Sequence, residues 1–186
     1  MTPEEIAGIT NINVPMEDIK SLQGIELFTA LTSLDCRNNP ITELDVSGLT
    51  ALASLNCGGC DLYELDVSGC TALENLICNH NYLTSLDVND CIKLTSLNCN
   101  QNYLASLNVS DCIKLTTLDC KGNALKELNV SNFKALSGLK CHGNELEKLH
   151  VSGYTSLTVL YCNNNKLRSL DLSGNSMFSL VCDNQN

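Results

Sequence analysis

Seven leucines, Leu31, Leu52, Leu73, Leu94, Leu115, Leu136 and Leu157, stand 21 residues apart. A second leucine series runs from Leu34 to Leu160 at the same period, and a cysteine series from Cys36 to Cys162. Each unit reads LxxLxCxxNxLxxLxV, as in LTSLNCNQNYLASLNV over residues 94–109. A fixed period of this length marks stacked units, each too small to bury its own apolar face and completed by its neighbours. The chain is thereby restricted to a repeat solenoid.

The second leucine and the cysteine of a unit lie two positions apart, so alternation of side chains puts both on one side of a short strand. Stacking predicts a parallel sheet with strands about 4.8 Å apart. The following segment adds Leu44 and Val46, then Leu65 and Val67, to the interior. A 21-residue unit leaves little length for a full helix on its return side, so short extended or single-turn segments are expected there. The ninth-position asparagines (Asn39, Asn81, Asn102, Asn123, Asn144, Asn165) stand where the chain leaves the strand. Their amides are read as structural partners for backbone groups of the turn.

The flanks divide around this array. Residues 1–8 read as a short N-terminal capping helix, a partial cap, with Thr2 as N-cap, Pro3 at the first helical position and acids in the first turn. Residues 9–30 read as a degenerate first repeat with Ile9, Ile12, Val14, Ile19 and Leu22 inward. Residues 31–176 form seven 21-residue repeats, the last (157–176) one residue short, and 177–186 a truncated terminal repeat. Nothing comparable to the helix is read over the C-terminal end.

The LxxLxCxxN segment resembles leucine-rich repeats, and the 21-residue unit with a sixth-position cysteine resembles bacterial surface proteins of the internalin J kind. The resemblance covers about residues 9–186. It implies a β-rich, right-handed superhelix shaped as a horseshoe or arc, with a parallel concave sheet and short convex segments. It also implies a role in adhesion or protein recognition. A full N-terminal cap domain and a wall anchor or sorting sequence, both expected from that resemblance, are not read here.

The net charge of -10 argues against nucleic acid as principal partner. That charge is uneven: residues 1–92 carry two basic groups against fourteen acids, and residues 93–186 nine against seven. No run reaches the roughly 18 apolar residues of a membrane span, so no membrane insertion is expected. Met1 leads into an acidic segment rather than an apolar run, so no signal peptide is read. On composition the cytosol and secretion both stay open; the resemblance implies a secreted or cell-surface protein whose signal lies outside this sequence.

Twelve cysteines invite a disulfide reading. Their placement predicts free thiols instead: Cys182 joins the seven sixth-position cysteines in one inward row, and Cys70, Cys91 and Cys112 belong to a second. Neighbours in a parallel stack stay near 4.8 Å, beyond the roughly 3.5–4.5 Å that a disulfide requires between Cβ atoms. Buried cysteine then acts as a small hydrophobe. Cys57 and Cys60 form a CxxC, but Cys60 stands in the ninth, asparagine position, and with His80 it falls short of the four ligands of a zinc site. The row Asp45, Asp66, Asp87 and Asp171 is interrupted by Asn108, Asn129 and His150, which favours turn hydrogen bonding over calcium.

Third, fifth and seventh positions should project from the concave sheet. The first four units offer mainly small and amide side chains there, whereas the later ones offer Asp119, Lys121, Lys140, His142, Val159 and Tyr161. Mixed charge beside an exposed tyrosine is the make-up of an interface anchor, and these six are the candidate binding residues. Tyr82 and Tyr103 share the tenth position and are expected to stack at the edge of this face, shielding leucines beneath or gripping a sugar ring. The three histidines fall in different rows, and no phosphate-cradling glycine motif occurs, so neither catalysis nor a cofactor or metal is expected. The reading is a non-catalytic module that binds a protein or glycan. The alternatives are a spacer or scaffold that self-associates end to end through its uncapped C-terminal repeat, and a thiol or zinc protein using Cys57 and Cys60.

Overall fold

Three-residue strands are all that this alternation needs, because the middle leucine turns inward while its two neighbours face away. The computed structural model describes residues 3–185; Thr2, assigned above as helix N-cap, and Asn186 lie outside them. A short helix α1 (Pro3–Ala7) leads into β1 (Asn11–Asn13), β2 (Ser33–Asp35), β3 (Glu43–Asp45), β4 (Ser54–Asn56), β5 (Glu64–Asp66) and β6 (Asn75–Ile77). There follow β7 (Ser85–Asp87), β8 (Ser96–Asn98), β9 (Ser106–Asn108), β10 (Thr117–Asp119), β11 (Gly138–Lys140), β12 (Val159–Tyr161) and β13 (Ser179–Val181).

One nine-stranded sheet runs β1-β2-β4-β6-β8-β10-β11-β12-β13, and every pairing in it is parallel. From β2 onward leucine sits opposite leucine, as in Leu34 on Leu55, Leu76 on Leu97 and Leu118 on Leu139, and in β1 Ile12 takes that place opposite Leu34. The ladder continues past each strand, with the amide of Cys57 donating to Ile77 O at 2.8 Å and that of Cys78 to Asn98 O at 2.9 Å. The fold is a parallel β-solenoid.

Its interior is continuous. Leu31, Leu52, Leu73, Leu94, Leu115, Leu136 and Leu157 are all 0% exposed, and Ile9, Ile12, Val14, Ile19 and Leu22 pack partly buried against that core. Each such leucine contributes about 1.5–3 kcal/mol by leaving water. Eleven cysteines are buried and free; the twelfth, Cys182, is exposed on the rung of β13 beside Leu180. Cys182 continues the row next to Cys162, as expected, but is exposed because no further turn covers it among the described residues.

Two rows of polar contacts hold the turns in register. Asn102 Nδ2 donates to Cys78 O at 3.0 Å and Cys99 O at 3.1 Å, while its Oδ1 accepts from Leu83 N at 3.1 Å. Asn81, Asn123, Asn144 and Asn165 repeat this pattern, each amide tying its own turn to the one before. Gln185 takes over the position in the last turn, reaching Cys162 O and Cys182 O. At Cys60 the thiol replaces only the donor, bonding Cys36 O at 3.3 Å, and the Ile41 amide turns to Asn39 O instead.

The second row runs Leu49, Cys70, Cys91, Cys112, Phe133, Tyr154, all buried. The thiols of Cys70 and Cys112 donate to Val46 O at 3.2 Å and Val88 O at 3.3 Å, and the Tyr154 hydroxyl donates likewise to Val130 O. On this return side β3 pairs with β5 and β7 with β9; beyond them, where the row changes to rings, the pairing is reduced to a bridge between His150 and Asp171. The short extended returns expected from the unit length are present.

Candidate binding site

The outer face of the main sheet carries the candidate residues, because each is next to an inward leucine or cysteine. Asp119, Lys140 and Tyr161 end β10, β11 and β12 and are cross-strand partners in that order. Val159 begins β12 opposite Gly138, while Lys121 and His142 follow two positions beyond Asp119 and Lys140. All six are half-buried. Tyr161, expected to stand free, instead lies with its ring 6.2 Å from that of His142, and its hydroxyl accepts from Ser179 Oγ at 3.0 Å. Stacked strands are close enough for each outward side chain to cover its neighbours.

Gly138 shapes this surface. It occupies a position held in the adjoining strands by Thr117 and Val159, and lacking a side chain it opens a depression of about 390 Å³. Asp119, Lys140 and Val159 line that depression with Asn98, Thr117 and Thr158. Lys121, His142 and Tyr161 lie outside it. A Cβ added at Gly138 would meet only Thr117 Cγ2, at 3.8 Å, so the space is open rather than required by packing. Its signal in the sequence is a single glycine in a row otherwise filled by side chains.

The electrostatics of the patch are mixed. Asp119 Oδ1 accepts the Lys121 amide at 3.3 Å, and no ion pair joins Asp119 to Lys121 or Lys140 among the described residues. Burial pushes the His142 imidazole below its usual value, and the nearby Lys121 charge adds to that push. Its Nδ1 is buried without a partner. The patch thus presents two ammonium groups, one carboxylate and an imidazole biased toward neutrality.

Cys57 is fully buried, which raises its thiol pKa well above the usual value, and Cys60 points into the asparagine row. A hydrogen bond between the Cys36 and Cys60 thiols holds Cys36 above the usual thiol value and draws Cys60 below it. His80 lies in the same groove as Cys60 and adopts a left-handed turn, φ 53°, shared at this position by Asn38 and Gln101. Among the described residues no three His, Cys, Asp or Glu side chains are grouped as metal ligands. The aspartates of the interrupted row hold turns: Asp45, Asp66 and Asp87 accept the amides of Ser47, Ser68 and Asn89.

Tyr82 and Tyr103 stack as expected, with centroids 6.2 Å apart; they remain 40% and 62% exposed, while Leu83 and Leu104 are fully buried. Tyr63 joins them, its centroid 5.1 Å from that of Tyr82. Its contribution was missed because it occupies the twelfth position of its unit, not the tenth.

The Leucine Rich Repeat family matches residues 30–52. No curated protein sequence matches the chain. Among solved structures, the functional domain of InlJ from Listeria monocytogenes, which includes a cysteine ladder, is 34% identical with a TM-score of 0.72. That match covers 97% of this chain and 48% of that one, so the chain spans about half the length of this relative. Internalin C2 from the same species is 19% identical, TM-score 0.75, covering 97% and 84%. YopM from Yersinia enterocolitica is 23% identical, TM-score 0.72, covering 96% and 42%. The last two share the fold. With its cysteine row, asparagine row and parallel register, the chain is a leucine-rich repeat protein of the internalin-like kind.

Proposed function

We propose that this chain is a non-catalytic interaction module of a bacterial secreted or cell-surface protein, and that it holds a protein or glycan ligand on the concave face of the sheet. The observation that carries the reading is the depression at Gly138, set among Asp119, Lys140 and Val159, with Lys121, His142 and Tyr161 alongside. A rigid sheet flanked by adaptable polar groups and one aromatic anchor has the composition of a recognition surface. The similarity to the InlJ functional domain supports a bacterial surface setting. No helix among the described residues is long and apolar enough to cross a membrane.

Two variants test the site. Gly138→Val fills the depression at a position where Val159 already fits the neighbouring strand, so the fold should persist while ligand capture is lost. Replacing Lys121, Lys140, His142 and Tyr161 together by alanine should have the same effect. The readouts are pull-down of host-surface proteins and binding to a glycan array. Undiminished capture by both variants would sink the proposed site.

A further inference from the structure

The tyrosine stack lies apart from the face proposed above and has its own surroundings. The outer rings, Tyr63 and Tyr103, are 60% and 62% exposed, against 40% for Tyr82, whose ring has neighbours on both faces. Each outer ring therefore keeps one face open. Tyr63 also borders a groove of about 500 Å³ lined by Glu64, Asp66, Asp87 and Asp90. None of these four carboxylates is in an ion pair among the described residues. Asp66, Asp87 and Asp90 each accept one backbone amide, from Ser68, Asn89 and Gly69, and their remaining acceptor capacity is open. The groove lies in the half of the chain where two basic groups face fourteen acids.

We propose that the Tyr63–Tyr82–Tyr103 stack and this acidic groove form a second interaction surface, which docks an arginine-bearing segment of a protein partner. Charge complementarity selects a cation, and the open ring faces select a planar, weakly hydrated one. A guanidinium meets both demands, stacking on an aromatic face while its fork of donors engages carboxylates in pairs. An ammonium group does the first less well and cannot do the second. The acidic half of the solenoid would also steer such a segment toward the groove.

The test uses the whole chain and fluorescein-labelled octapeptides in which glycine alternates with arginine, lysine or glutamate, with a neutral oligosaccharide as a fourth probe. Fluorescence anisotropy should show the arginine peptide binding most tightly, more weakly as salt rises. The triple variant Tyr63→Thr, Tyr82→Ala and Tyr103→Ala should bind it roughly tenfold less tightly. Asp66→Asn with Asp87→Asn should cost roughly tenfold as well. These variants keep the fold by precedent within the chain: Thr84 and Ala124 occupy the equivalent positions, and Asn108 and Asn129 already accept the corresponding amides. Gly138→Val should leave peptide binding intact, which separates this surface from the sheet-face site. Equal binding of the glutamate peptide, preference for the oligosaccharide, or undiminished binding by the tyrosine variant would each overturn the proposal.

Discussion

In every turn but that of Cys60, a single amide side chain both donates and accepts across the stack. Removing it from Asn102 strands the Leu83 amide and takes a donor from the carbonyls of Cys78 and Cys99, all in the buried row. Asn102→Ala should therefore cost about 3 kcal/mol, read from a urea midpoint with unchanged slope. Cys60→Asn should do the reverse and add about 1 kcal/mol, because an amide there restores the acceptor that the thiol lacks. His142 makes a prediction about pH. Its folded pKa lies below the unfolded value of about 6.5, chiefly through burial. Above that pH the imidazole is neutral in both states and contributes nothing. As the pH falls below it the unfolded chain takes the proton first, so stability is lost until the folded imidazole also protonates. Acidification from neutral should lower the Tm of the wild type more than that of His142→Asn. Equal slopes would count against the burial effect.

At the scale of elements, the cysteine row behaves as one buried strip. Burial raises Cys78 and Cys120 to about 12, and Cys162 to about 11, so thiolate is scarce as well as inaccessible at neutral pH. Peptide mapping after brief alkylation of native protein should find Cys182 modified first and Cys60 next. The row from Cys57 to Cys162 should react only on unfolding; early labelling of Cys99 would contradict the packing. Strands, register and this row were legible in the sequence, because two-residue alternation and a fixed period leave one arrangement that buries every leucine. The surface was legible only in part. Alternation assigns Tyr161 to the outer face but not its rest against His142 and Ser179, which depends on rotamers across strands. Tyr63 reaches Tyr82 across 19 residues rather than 21, an offset set by the path of the turn and invisible in the repeat. Gln185 extends the asparagine row with a longer side chain, a substitution that only the backbone path reveals.

For the whole molecule, the important property is that contacts run from each turn to the next. Stability is then close to a sum over turns and their interfaces, not a single indivisible core. Deleting residues 94–114, one complete unit, should leave a folded chain in which Leu76 pairs with Leu118 in place of Leu97. Circular dichroism should keep its shape, and the urea slope should fall by about one eighth, in proportion to the surface lost. Collapse of the fold would mean that the turns are not interchangeable.

The parallel strands lie side by side in one sheet, so the hydrogen bonds between them point along the line of stacking. A tension applied between the two ends acts directly along those bonds and loads them one interface at a time. Strands pulled past one another in shear would instead resist together. The chain should therefore yield at low force in a staircase, each step releasing one 21-residue turn and about 7 nm of contour. A module of this design would act as a compliant tether, lengthening by degrees under drag while its remaining turns stayed folded.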